Sequence, residues 1–441
     1  MSARLFIPIL LPFLAAAEEP APLRLSLAEA VEIAVSPKGS ARVELAAEAA
    51  KQAEDRSRQA RGALLPNLDA SFATQSQTRN LEAFGLRLES PLPGFRIPTF
   101  VGPYTTIDGR VSAQQSIFDF SSIRRYQASR VAAAAAHSEI ASASEQVAGQ
   151  TARAYLAALK ATADVEAIRA NITLAEAVVK LAESQKRAGT GTGIEITRAR
   201  VQLSSERQRL FVAQNDVRRA QLQVLRAMNV RLDTPLELTG KLAYVPVDSL
   251  TLEQAKARAL TERPDMKAQQ QRESNARLSA SSVKFERLPS VAGFGDYGAS
   301  GTALDHSVPT RTYGISVRVP LFDGGRRDAR RAESASQLRA EQTRSRDLRQ
   351  QVELDVRLAL DALASAEEQV KVAREGLELS ESELAQARRR YEAGVAVTLE
   401  ITDAQTRLER ARDNQTAALF NHNLARIDLA QAMGAIRRAI Q

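Results

Sequence analysis

From Asp119 to Ala188 the sequence contains no proline and one glycine, Gly149; from Arg326 to Ala393 there is again no proline, and Gly376 is the only glycine. Proline removes a helical hydrogen bond and clashes with the preceding turn, so its absence leaves both runs free to be unbroken helix. About 70 residues rising 1.5 Å each reach roughly 105 Å. No globular core is that deep. Helices of this length need neighbours along their whole extent, as in a coiled coil. The small residues Ala128, Ala132 to Ala136, Ala141 and Ala143 permit close helix contact.

Each long run ends in the same short pattern. The first reads KRAGTGTGIEITRARVQLSSERQRL and the second ARRRYEAGVAVTLEITDAQTRLERAR. Gly189 and Gly394, Glu195 and Glu400, and Ile196 and Ile401 are each 205 positions apart. Gly189 and Gly394 can adopt the left-handed conformation that ends a helix, and a helical spacing resumes after each. The chain therefore carries two copies of one helical hairpin, with return helices expected over Ile194–Arg231 and Leu399–Ile440. A repeat of this size defines the architecture.

The duplication extends upstream. Leu25–Val35 is an amphipathic helix with a capping box from Ser26 to Glu29, and its twin over Leu250–Leu260 has Thr251 as cap and Pro264 as stop. Second helices follow over Ala41–Leu64 and Asp265–Arg287, ending at Pro66 and Pro289. Strict alternation comes next. Leu68, Ala70 and Phe72 face one way and Asp69, Ser71 and Gln75 the other; Ile107, Gly109, Val111 and Ala113 oppose Asp108, Arg110, Ser112 and Gln114. In the second copy Tyr313, Ile315, Val317 and Val319 oppose Thr312, Ser316 and Arg318, and Val291–Ala299 is a weaker strand. A period of two with one wet and one apolar face marks β-strands, expected at about 67–76, 105–118, 290–299 and 311–322. Their length suits a tilted bilayer crossing, and the aromatic residues gathered here suit a membrane-interface girdle. Thr78–Pro103 reads as a long loop of the kind that faces outside the cell. Asp119 and Asp323 look like helix N-caps. The basic groups after them, Arg124, Arg125, Arg326, Arg327, Arg330 and Arg331, fit either phospholipid headgroups or a solvated surface.

The N-terminus, MSARLFIPILLPFLAAAEEP, reads as a secretory signal peptide over residues 1–17, cleaved after Ala17. The expected division is then 18–232 for the first repeat, 233–249 for a connector punctuated by Pro235, Gly240 and Pro246, and 250–441 for the second repeat. No apolar run after the leader is long enough for a spanning helix, so a membrane role must use strands. The net charge is +8. The arginines alternate with Glu and Gln, as in SSERQRL and RLERARD, and that reads as solvated helix faces rather than a nucleic-acid surface. His137, His306 and His422 are far apart, there is no Cys, and no phosphate loop or zinc spacing appears. An enzyme, a metal site and a cofactor are therefore not expected.

Taken in order and duplicated, LSLAEAVEIAV and LTLEQAKARALTERPD, LPNL and LPSV, PLFDGG, and YEAG with LEITDAQ resemble the TolC family of outer-membrane efflux ducts. The resemblance covers essentially the whole mature chain. It implies a mainly α fold with a membrane β-barrel portion: long coiled-coil helices forming a periplasmic α-barrel, and four strands per protomer in a trimeric twelve-stranded barrel. Four strands cannot close a membrane barrel alone, so oligomerisation follows physically, while the number three comes from the family. The family implies a passive duct opened at its periplasmic tip by an adaptor (membrane fusion) protein and an inner-membrane pump of RND, ABC or MFS type. It places the gate's acidic ring on Glu400 and Asp403, the tip tyrosine on Tyr391 and its acceptor on Glu195. Ala396 stands where the family's type member has a tip arginine; Arg198, the counterpart of Asp403, is expected to substitute. The rival class is a periplasmic coiled-coil adaptor or scaffold, which shares the leader and long helices but has no need of duplicated amphipathic strands.

Overall fold

The computed structural model of the chain describes residues 22–85, 99–248, 250–393, 395–396 and 398–440. The expected leader and the tip residue Gly394 lie outside the described residues. In chain order the elements are β1 (Leu23–Leu25), α1 (Leu27–Val35), α2 (Ala41–Gly62), β2 (Asn67–Asn80), β3 (Phe100–Phe118), α3 (Phe120–Arg187), α4 (Gly193–Ala227), β4 (Leu236–Leu238), α5 (Leu252–Glu262), α6 (Pro264–Phe285), β5 (Ser290–Gly301), β6 (Ser307–Arg318), α7 (Arg326–Glu392), α8 (Thr398–Ala432) and α9 (Ile436–Ile440). The long helices run 68 and 67 residues, each followed by a 35-residue return helix.

By spatial contact the chain divides into two units, and these are not the two repeats. One gathers the described parts of Met1–Glu44, Ala143–Ala259 and Asp355–Gln441; the other gathers Leu45–Ser142 and Leu260–Leu354. Each unit takes segments from both copies.

In the first unit the helices meet along heptad seams. On α8, Ile401, Leu408, His422 and Leu429 are buried in one row, and Ala404, Ala411, Ala418, Ala425 and Ala432 in the other. Apolar rows three and four residues apart are the signature of knobs-into-holes packing, and the alanine row lets backbones approach. On α4 the row is Ala199, Glu206, Ala213 and Ala220. The opening helix α1 carries its expected capping box: the Ser26 amide donates to the Glu29 carboxylate at 2.7 Å and the Glu29 amide to the Ser26 hydroxyl at 3.3 Å. The connector contains β4, which pairs in parallel with β1 through Leu23–Leu236 and Leu25–Leu238. The buried Tyr155 hydroxyl fixes that pair, donating to the Leu25 carbonyl at 2.9 Å and accepting the Gly240 amide at 3.1 Å. The last return helix also differs from expectation. It breaks after Ala432, where Gly434 takes φ +70°, and resumes as α9, whose first amide donates to Glu145 at 3.2 Å.

In the second unit the four long strands form one antiparallel sheet in the order β2-β3-β5-β6. Three of its strands are longer than the alternation suggests, and the fourth is displaced, spanning Ser307–Arg318 where 311–322 is expected. Pairing continues past the expected ends to Asn80 and Phe100, and Pro103 is tolerated because β3 pairs with β5 only from Ile107 onward. A proline lacks the ladder donor, so it belongs where a partner strand is missing. The outer strand β6 likewise holds Pro309 within it, opposite Ala299. Asp119 caps α3, accepting the Ser121 amide at 2.9 Å. Asp323 accepts the Arg327 amide at 3.2 Å from three residues before α7. Phe120 packs on Phe118 at 4.4 Å and on Phe285 at 5.7 Å between ring centres. Much of the basic cluster is compensated locally, since Glu286 receives Arg330 at 2.6 Å and Arg125 at 3.8 Å.

Candidate functional site

Two places could carry function: the sheet, and the paired hairpin tips.

In an antiparallel ladder directly opposed residues share a face. Ala70 pairs with Val111, Val111 with Tyr297 and Tyr297 with Arg311; Gly295 pairs with Tyr313, Gly293 with Ile315 and Val291 with Val317. The alternating strands therefore merge into one mainly apolar face holding Leu68, Phe72, Ile107, Val111, Tyr297, Tyr313, Ile315 and Val317, with Arg311 as a charge beside Tyr297. That face is bare: Tyr313 is 82% exposed, Ile315 70% and Phe72 68%. A contiguous apolar surface of this extent marks contact with lipid or protein. The other face is polar, with Asp69, Ser71, Asp108, Arg110, Ser112, Asp296, Thr312 and Ser316. At its centre Arg110 holds two carboxylates, Asp108 at 2.6 Å and Asp296 at 3.2 Å. Gly298 makes room for this reach, since a Cβ there would stand 2.5 Å from the Arg110 Cβ. In this sheet the outer strands β2 and β6 each pair on one side only.

The first tip reverses between α3 and α4. Gly189 adopts φ +78°, and the Thr190 amide returns to the Gln185 carbonyl at 3.0 Å. Glu195 is the third residue of α4, and its carboxylate accepts the Thr192 amide at 2.9 Å, closing the helix start. The second tip repeats the turn, with the Val395 amide on the Arg390 carbonyl at 3.0 Å, again 205 positions on. Its charges are arranged differently. Glu400 pairs with Arg390 at 3.0 Å, and Asp403 with Arg407 at 2.7 Å. Arg407 also reaches Glu383 at 2.7 Å, joining α8 to α7.

Tyr391 is only 2% exposed. It belongs to a cluster with Val178 of α3, Ala199 of α4, Leu384 and Ala387 of α7, and Ile401, Ala404 and Leu408 of α8. Its backbone carbonyl accepts the Gln185 side-chain amide at 3.5 Å. The two tips thus share one small core, with Tyr391 inside it and Glu195, Glu400 and Asp403 at its rim. Arg198 is exposed, and Arg390 and Arg407, rather than Arg198, hold the two acidic residues within the protomer. Sequence reasoning passed over Arg390, although its ten-residue spacing from Glu400 straddles the turn.

It also misplaced two glutamates. SSERQRL and RLERARD read as solvated faces, but Glu206 is 1% exposed and Glu409 8%. Glu206 stands in the alanine row of α4, seven residues from both Ala199 and Ala213, and that heptad spacing was the available signal. The histidines lie apart: His137 pairs with Glu54 at 2.6 Å, His306 with Asp305 at 2.9 Å, and His422 is buried beside Tyr244. Among the described residues no helix is long and apolar enough to cross a membrane.

Comparison with known proteins agrees with this architecture. The family described as outer membrane efflux protein matches residues 40–230 and 256–435. The pyoverdine export outer membrane protein OpmQ of Pseudomonas putida is 25% identical over 294 residues, which span 65% of this chain and 61% of OpmQ. The alkaline protease secretion protein AprF of Pseudomonas aeruginosa is 22% identical over 331 residues, 72% of this chain and 68% of AprF. Among solved structures, the outer membrane channel CmeC of Campylobacter jejuni has a TM-score of 0.79 at 16% identity, covering 93% of this chain and 86% of CmeC.

Proposed function

The chain belongs to the outer membrane efflux protein family, and on that premise we propose that it is the outer-membrane exit duct of a tripartite efflux or secretion system. It works as a passive homotrimeric channel that is not an enzyme, spanning the outer membrane and extending into the periplasm. One observation carries this reading: a four-stranded sheet with a bare apolar face and two outer strands paired on one side only. Unpaired backbone groups are not tolerated in lipid, and four strands are too few to close a barrel. Three copies laid edge to edge give twelve strands, with the apolar face toward lipid and the Asp108–Arg110–Asp296 face toward the lumen.

The tips are the periplasmic gate. Tyr391 and Glu195 tether neighbouring hairpins, and Gly189 and Gly394 form their turns. Glu400 and Asp403 contribute a carboxylate ring around the narrowed pore, where rings of acidic side chains favour cations. Arg198 is exposed and so placed to meet a carboxylate of another copy. An adaptor protein and an inner-membrane pump open the tips and supply the energy. Cargo of the kinds named for OpmQ and AprF, pyoverdine or an alkaline protease, fits such a duct.

The test is the mass of the species extracted by detergent from the outer-membrane fraction. A trimer is expected. A soluble periplasmic monomer or dimer would overturn the barrel and favour the adaptor class.

A further inference from the structure

Glu206 and Glu409 are deeply buried, and they face one another across the contact between α4 and α8. The two lie 13 and 11 residues from the starts of their helices, which places them roughly 20 Å from the tips at 1.5 Å per residue. A single side-chain amide, Gln202 Nε2, lies 3.4 Å from both carboxylates. A single guanidinium serves them as well. Arg209 reaches Glu206 at 3.2 Å and Glu409 at 3.5 Å, and also the half-exposed Asp413 at 3.3 Å. These contacts are longer than the roughly 2.7–2.9 Å of a well-formed charge-assisted bond. Three carboxylates thus share one cation. Glu206 and Glu409, both buried, lean on the same guanidinium and the same amide.

The surrounding charges leave the imbalance in place. On α3, Lys160 is engaged with Asp164 at 2.7 Å; both line the groove beside Arg209 and Asp413, together with Asp216 of α4. On α7, Glu381 and Arg388 line a separate groove with Leu408 and Arg412 of α8. Arg412 itself donates to Asn171 of α3 at 2.7 Å.

We propose that Glu206, Arg209 and Glu409 form a proton-sensitive latch between the return helices of the two repeats, which tightens on acidification and resists opening of the tips. When both carboxyls are ionised, they repel across the seam. When Glu409 takes a proton, it no longer repels Glu206, and Arg209 is left to balance Glu206 and Asp413. Burial, and secondarily the charge of Glu206, push the Glu409 carboxyl above its ordinary range, while Arg209 pulls it down. A carboxyl raised in the folded state contributes stability that is full below its unfolded value and is lost as pH rises through the folded one. The contact is therefore stronger in mild acid. The effect on the tips rests on the gate reading above; the effect on the helix contact does not.

The test is hydrogen exchange of segments 202–213 and 405–417 in the detergent-solubilised full-length protein at pH 7.5 and 5.5, corrected for the intrinsic pH dependence of exchange. Conductance in planar bilayers is recorded in parallel. In the wild type, exchange in both segments is expected to slow in acid, with fewer or smaller openings. Glu409→Gln should be protected at both pH values with no pH step, because it mimics the protonated state. Arg209→Gln should exchange faster at pH 7.5 and show a larger step. A Glu409→Gln protein that retains the wild-type step would overturn the latch, as would a wild type with no step. A step in exchange with no change in conductance would uphold the latch and count against the tips as the gate.

Discussion

The two hairpin tips share a backbone and differ in chemistry. Both long helices end on the same return bond, Thr190 to Gln185 and Val395 to Arg390, and both return helices have a glutamate at matching positions. In the first tip that glutamate, Glu195, is used to close its own helix start. In the second, Glu400 instead crosses the turn to Arg390. Where the first tip has the exposed Lys186, the second has the buried Tyr391, and where the first has Arg198 the second has Asp403. The turn depends on a few backbone bonds, so duplication can preserve it while side chains diverge. The first tip is locally self-sufficient. The second depends on α3 and α4 to cover its aromatic ring.

Replacing Tyr391 tests that asymmetry most severely. Removing a buried aromatic ring costs about 3–5 kcal/mol, whereas Lys186→Ala, at an exposed position, should change stability by no more than about 0.5 kcal/mol. Tyr391→Ala is expected to expose the 384–404 segment to protease and to raise conductance, with Lys186→Ala near wild type. Tyr391→Phe then separates packing from tethering. It keeps the ring, so protease resistance should persist while conductance still rises; unchanged conductance would leave the residue with a packing role alone.

A smaller effect is expected at the helix starts. Glu195→Ala removes the reciprocal bond of a capping box and should cost about 1 kcal/mol, read as faster exchange at the start of α4. Glu400→Ala breaks an ion pair whose partners are 59% and 40% exposed, and solvent screening limits such a pair to about 0–1 kcal/mol. Equal losses at both tips would erase the distinction.

How much of this was legible in the sequence depended on periodicity and length. The long helices, the strand pairs and the tip turns follow from proline-free runs, a period of two and a fixed offset, which extend over many residues. The β1–β4 pair was not legible, because three-residue strands separated by some 200 positions leave no periodic trace. The break before α9 rests on one residue, Gly434, in an otherwise helical run. At the candidate site, spacing placed Glu400 and Asp403 on one face but did not supply their partners, since Arg390 and Arg407 are reached by folding back across the turn and along the helix. Glu206 and Glu409 were misassigned because a charge flanked by arginines looks solvated in a linear reading. Only the seam register shows that the position is inside.

That same register sharpens the gate reading into its finest test. Were Glu400 and Asp403 bare carboxylates, their removal would erase a strong cation preference. Each is held by an arginine, and an exposed ion pair of this kind presents little net charge to the pore. Glu400→Ala with Asp403→Ala should therefore lower cation selectivity and weaken cation block, measured by reversal potential in a salt gradient across a planar bilayer. Arg390→Gln with Arg407→Gln should move selectivity the opposite way, because it unmasks the ring and leaves the Glu195 cap untouched. Both double variants should fold, since each exposed pair they break is worth only about 0–1 kcal/mol. If both left the reversal potential unchanged, these carboxylates would not line the pore, and the second tip's charges would serve only to bind α8 to α7 through Arg407 and Glu383.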